Sequence, residues 1–171
     1  MLLVTWQIKE PRVQYCGIPS FAEALGMESD VIPNSSITAS SRWSHNLKPE
    51  RGRLNANWGW APKNGNNEWI QVKLENPTCI VGLATQGVIL ANPEWVTGYK
   101  VGCGLQVQSI VMVTENSSDG ISEKIFSANT DEDTVVYNGL PEPHLCRFVR
   151  VYPVSWSVHP SMRMELYTAR V

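Results

Sequence analysis

From residue 37 onward the chain is a succession of short segments rich in Val, Ile, Tyr and Trp, separated by clusters of Gly, Pro, Asn and Asp. They fall at residues 69–74, 80–86, 95–101, 109–115, 124–126, 134–137, 147–152 and 162–167. A helix needs an apolar residue every three or four positions, and no stretch sustains that period beyond about two turns. Short segments at this spacing predict an all-β sandwich or barrel of about eight strands. Two of them show a period of two. In Trp69-Ile70-Gln71-Val72-Lys73-Leu74, the aliphatics Ile70, Val72 and Leu74 share a face opposite Gln71 and Lys73, and Arg147-Phe148-Val149-Arg150-Val151-Tyr152 alternates likewise. Residues 1–25, broken by Pro11, Gly17 and Pro19, read as an irregular arm ahead of one domain over residues 26–169.

The chain has 171 residues, 43% of them hydrophobic, which suits one domain with a real core. A net charge of −2 gives no general attraction to nucleic acid. No apolar stretch approaches the roughly 20 residues that span a bilayer as a helix. The opening Met1-Leu2-Leu3-Val4 is ended by Trp6, Gln7, Lys9 and Glu10 too early to read as a signal peptide.

Catalytic patterns are missing from the sequence. His45, His144 and His159 sit in separate loops, with no HExxH, GxSxG, P-loop or strand-borne GxGxxG. Asp131-Glu132-Asp133 offers oxygen ligands for a structural calcium ion but lacks EF-hand spacing, so a solvated turn is the simpler reading and no cofactor is expected. Cys16, Cys79, Cys103 and Cys146 are too widely spaced for a CxxC site. Four cysteines allow three pairings; Cys79, Cys103 and Cys146 read as buried, inert thiols and Cys16 as exposed on the arm. Two N-glycosylation tripeptides occur, Asn34-Ser35-Ser36 and Asn116-Ser117-Ser118.

One loop breaks the usual rule that loops are polar. Gly87-Val88-Ile89-Leu90-Ala91-Asn92-Pro93-Glu94 carries three bulky aliphatics in a row between turn residues. Either its tip folds into a core or it is an apolar finger for an outside partner.

Read together, Ile37-Thr38-Ala39-Ser40-Ser41, Arg53-Leu54-Asn55, Glu68-Trp69-Ile70-Gln71-Val72, Ala84-Thr85-Gln86-Gly87, Glu94-Trp95-Val96-Thr97-Gly98-Tyr99-Lys100, Arg147-Phe148-Val149-Arg150-Val151-Tyr152-Pro153 and Met162-Arg163-Met164-Glu165-Leu166-Tyr167 resemble the discoidin domain, also called the coagulation factor V/VIII C-type domain. The likeness covers about residues 25–168 and is neuropilin-like over residues 41–55. It implies a jelly-roll β-barrel and a non-catalytic module gripping ligands with loop spikes at one end. The first spike would be residues 42–49, with residues 57–67 beside it and residues 87–94 as the third. Family framework positions make Trp69, Trp95 and Trp156 core residues and Arg53, Arg150 and Arg163 structural hydrogen-bonders. Two departures stand out. Thr168-Ala169 replaces the terminal cysteine of the family's usual staple, so that staple and its argument for an oxidising compartment are expected to be absent; and residues 102–121 lack the family's Asp-Gly turn followed by Trp.

The resemblance nominates Arg42, Trp43, His45, Asn46, Leu47, Lys48, Trp58, Lys63, Val88, Ile89 and Leu90 as ligand-binding, with Trp60 packed. Apolar tips at Val88, Ile89 and Leu90 above a basic collar of Arg42, Lys48, Arg51 and Lys63 imply a phosphatidylserine-bearing membrane surface as partner. A lectin site around Trp43, His45, Asn46 and Asn57 is the alternative, and a protein-interaction domain of an adhesion receptor is the third. Capture of a C-terminal arginine would need an acidic residue within residues 57–67, which hold none. The setting so implied is extracellular or cell-surface, with the leader either already removed or replaced by non-classical export, and a cytosolic pool as the variant.

Overall fold

β-Branched and aromatic residues fit a pleated, half-buried surface, and here they build an antiparallel sheet that curls on itself. The structure, a computed structural model, describes Cys16 and residues 21–170. Its strands are β1 Phe21–Ala24, β2 Ile37–Ala39, β3 Ile70–Gln86, β4 Trp95–Gly104, β5 Val111–Met112, β6 Thr114–Ser117, β7 Gly120–Glu123, β8 Phe126–Ser127, β9 Val136–Ser157 and β10 Arg163–Arg170. The main sheet runs β1-β10-β3-β9-β4-β5, with β2 added on β3 and β8 on β4, while β6 and β7 form a separate hairpin.

Two pairs of expected strands prove continuous. Residues 69–74 and 80–86 merge into β3, and residues 134–137 and 147–152 into β9, each bending where the β3–β9 register shifts between Lys73 and Thr78. The bend brings residues 70 and 86 of β3 back toward the same end, where the loops before and after it emerge. Residues 102–121 complete β4, add β5 and enter the β6–β7 hairpin. The arm read as irregular ends in β1, whose Phe21–Ala24 pairs with β10; the rest of it lies outside the described residues, Cys16 apart.

The inward face of the curl is closed by Ile70, Val72, Leu83, Tyr99, Val101, Phe126, Val149, Val151, Met162, Met164 and Leu166, with Tyr99 and Phe126 stacked at 5.3 Å between ring centres. Ile70, Val72 and Leu74 face inward as expected, but Gln71 is buried too. Arg150 covers it, donating from Nε and Nη2 to Gln71 Oε1 at 3.0 and 2.7 Å while stacking on Trp69 at 4.0 Å. Trp69, Trp95 and Trp156 are accordingly half-buried on the outer side rather than core residues.

The cysteines are not thiols. Cys16 bonds to Cys79 and Cys103 to Cys146. Cys103 is paired with Val149 of β9, and the bend of β9 beyond it brings the Cα of Cys146 to 5.4 Å from that of Cys103, within disulfide reach. The usual terminal staple has thus been replaced by one from the arm to β3.

Candidate functional site

Three loops and the β9–β10 connection converge at the end of the curl where β3 both begins and ends. Their backbones are stitched together. Trp43 N–H donates to the Ala61 carbonyl at 2.8 Å and Ala61 N–H to the Leu47 carbonyl at 3.2 Å, joining the first spike to residues 57–67. Trp60, fully buried, exchanges backbone bonds with Met162 at 3.0 and 2.9 Å and sends its indole N–H to the Ser41 carbonyl at 2.9 Å. Gly65 packs its Cα side against the Trp156 ring, where a Cβ would stand 2.7 Å from Cζ2.

The third spike is closed at its neck by reciprocal bonds between Val88 and Glu94, at 2.7 and 3.2 Å. That closure turns Val88 inward, where it packs with Leu47 and Ala61 as a satellite core, Leu90 lying half-buried against it. Gly59 makes room for Val88: a Cβ there would lie 2.3 Å from Val88 Cγ2. Of the residues nominated as ligand-contacting, Val88 is fully buried in this satellite core, while Leu47 is buried but still borders the cleft described next. The tips keep other apolar groups outside: Trp43 is 63% exposed, Ile89 55% and Val158 60%. Among them opens a cleft of about 290 Å³ lined by Trp43, Leu47, Ala61, Leu90, Glu94, Val158 and His159.

His159 and Glu94 are the cleft's polar groups. The His159 ring meets Trp43 edge-on at 5.3 Å. Its Nε2 lies 2.8 Å from the Pro62 carbonyl, which can only accept, so Nε2 carries the proton. Glu94 Oε2 accepts from Ser161 Oγ. Val158, before the histidine, has φ of 64°, a left-handed conformation costly for a β-branched residue. Sequence reasoning set His159 aside as an isolated loop histidine, took Glu94 only as the end of the third spike, and did not weigh Val158. A His-Pro pair in a linker was the only trace of Val158 and His159, and no local pattern announces a positive φ at valine.

The basic collar is thinner than expected. Lys48 Nζ is 2.8 Å from Glu50 Oε1. Burial pushes the Glu50 carboxyl upward, but bonds from Lys48 and its own backbone, with the Lys48 and Arg42 charges, outweigh this and hold it below the usual range. Arg51 is half-buried, leaving Arg42 and Lys63 exposed beside the tips. Trp58 and Lys48 face a separate polar basin of about 360 Å³ with Asp30, Asn34 and Arg53. His45 and Asn46 are exposed but do not line the cleft.

Buried arginines brace the assembly from below, as expected for Arg53 and Arg163. Arg163, 4% exposed, donates to the carbonyls of Gly87 (2.7 Å), Ala56 (2.9 Å) and Glu132 (2.9 Å) and to Asp133 Oδ1 (3.1 Å). It thereby ties the root of the third spike to the root of the neighbouring loop and to the acidic turn. Arg53 does the same for the segment before β2, bonding the carbonyls of Met27, Ile32 and Glu50. In the acidic turn, Asp131 Oδ1 accepts from the backbone of Asp133 and Thr134, at 2.9 and 2.6 Å. Among the described residues no three His, Cys, Asp or Glu side chains converge as a metal group.

A curled β-barrel whose loops are stitched together at one end is the scaffold of a binding module. A family model described as the F5/8 type C domain matches residues 36–166, and the chain belongs to that family. Neuropilin-1 of Xenopus laevis is 39% identical over 154 residues, covering 87% of this chain and 16% of the relative. The chain thus spans about a sixth of the length of the curated relatives it matches. Discoidin II of Dictyostelium discoideum superposes with a TM-score of 0.68 at 21% identity, over 91% of this chain and 61% of the other. A family 32 carbohydrate-binding module from C. perfringens NanJ, solved with galactose, superposes at 0.61 and 14% identity, over 86% and 99%. At those identities the two structures attest the fold alone.

Proposed function

We propose that the chain is a non-catalytic, extracellular or cell-surface recognition module whose spike end docks on anionic phospholipid membranes such as those bearing phosphatidylserine. The observation that carries this reading is the crown of Trp43, Ile89 and Val158. Three large apolar side chains from three segments stand exposed on one end, with Trp43 meeting His159 edge-on. Burying each in lipid contributes roughly 1.5–3 kcal/mol, and Arg42 and Lys63 add about 1 kcal/mol apiece beside an anionic leaflet. Against the cost of association this amounts to weak binding, strengthened where several modules are linked. The two disulfides support an oxidising setting.

Co-sedimentation with liposomes tests the reading. Phosphatidylserine vesicles should retain the protein and phosphatidylcholine vesicles should not, and Ile89→Ser/Leu90→Ser should abolish retention; equal retention of both proteins would overturn it. One observation favours a second reading, a glycan site: Trp43, His159 and Glu94 form an aromatic wall with a carboxylate in a cleft wide enough for one sugar ring. Glycan-array signals lost in Trp43→Ala, with no preference for anionic vesicles, would favour it.

A further inference from the structure

The β6–β7 hairpin stands outside the main sheet, and a two-stranded ribbon is marginal by itself. The Lys100–Glu123 ion pair and Val113 N–H bonding the Val101 carbonyl at 2.8 Å tie it to β4, while the Lys124–Glu115 pair and Lys124 N–H bonding the Val113 carbonyl at 2.9 Å close its base. The tripeptide Asn116-Ser117-Ser118 runs from the end of β6 into the turn, all three residues exposed. Asn116 is directly opposite Ile121 of β7, and opposed residues of an antiparallel pair project from the same face with Cβ atoms about 5 Å apart. Ile121 is 76% exposed. The two side chains, with Thr114, Glu115, Pro141 and Glu142, line a shallow basin of about 280 Å³. The disulfides meanwhile point to folding in the oxidising compartment where asparagines are glycosylated.

We propose that Asn116 carries an N-linked glycan whose first sugar lies in this basin over Ile121 and clamps the hairpin. Asn116 Nδ2 loses a proton and bonds to the anomeric carbon of the first sugar of a lipid-pyrophosphate-linked oligosaccharide; the lipid pyrophosphate departs with the electrons of the broken bond. The apolar face of that sugar covers Ile121 and Pro141, while Thr114 and Glu142 offer oxygens to its hydroxyls. No residue of the spike end lines the basin, so the glycan leaves the docking surface clear. The asparagine of the other tripeptide is differently engaged, its Oδ1 accepting from buried Arg53 Nη2 at 2.7 Å.

The test uses the whole chain secreted from cells held at high-mannose glycans, mapped by peptide mass spectrometry before and after enzymatic glycan release, then trimmed to a one-sugar stub. Asn116 should be occupied, and hydrogen exchange across residues 114–123 should be about fivefold slower with the stub than in Asn116→Gln. Ile121→Ser, an exposed change that leaves the tripeptide intact, should remove the slowing. An unmodified Asn116 in the secreted, folded chain overturns the proposal. So does an occupied Asn116 whose stub leaves exchange unchanged, or a slowing that survives Ile121→Ser.

Discussion

Trp43 is held outward because its own backbone N–H is committed to Ala61 while its ring finds only the edge of His159. Removing so exposed a side chain leaves the core untouched. Trp43→Ala should therefore shift the thermal midpoint little, as surface changes do, while weakening membrane retention about tenfold. Val158 is the opposite case, since its φ of 64° stores strain. Val158→Gly should stabilise the fold by up to about 1 kcal/mol in denaturant titration, yet still weaken docking by removing an apolar contact. Glu68, buried under residues 61–67, gives a pH signature. Burial pushes its carboxyl upward, but bonds from Ser40, Ser41 and Asn64 outweigh this and hold it below the usual carboxylate value. A carboxyl depressed in the fold stabilises above its unfolded pKa and loses that contribution as pH falls through the folded one. The stability difference between wild type and Glu68→Gln, followed by denaturation at stepped pH, should be full near neutrality and shrink in acid below the ordinary carboxylate range.

The third spike shows where an element escapes its sequence. Three consecutive aliphatics announced an apolar loop, but which of them point outward depends on the Val88–Glu94 closure and on the hollow left by Gly59. Residue spacing records neither. The strands around the loop were legible because alternation marks residues 69–74 and the family framework marks residues 84–87 and 94–100, whereas Val158 and His159 joined the cleft only through tertiary convergence. Arg163, at the start of β10, is the brace on which the root of this spike depends most. Arg163→Lys cannot serve three carbonyls and a carboxylate in forked geometry, so buried acceptors at Gly87, Ala56 and Glu132 lose partners. A loss of about 3 kcal/mol or more in chemical denaturation is expected. Asp133→Asn should cost about 1 kcal/mol or less, because that carboxylate is mostly exposed.

At the scale of the molecule, the scaffold and the spike end are separately secured. The Cys103–Cys146 link closes 43 residues and Cys16–Cys79 closes 63, each worth about 4 kcal/mol by chain entropy. Replacing Cys103 and Cys146 by Ala should lower stability on that scale, measured in denaturant, without altering vesicle preference in whatever fraction remains folded. The pairings were not legible, since four separated cysteines admit three connectivities and only the bend of β9 against β3 and β4 selects one. The central claim is that the spike end enters the bilayer, and quenching of tryptophan fluorescence by brominated acyl chains tests it most directly. Phosphatidylserine vesicles carrying such chains should quench the wild type, and Trp43→Phe should lose most of that quenching while still binding. Bound protein whose emission is not quenched, or equal quenching in the Trp43→Phe variant, would contradict it.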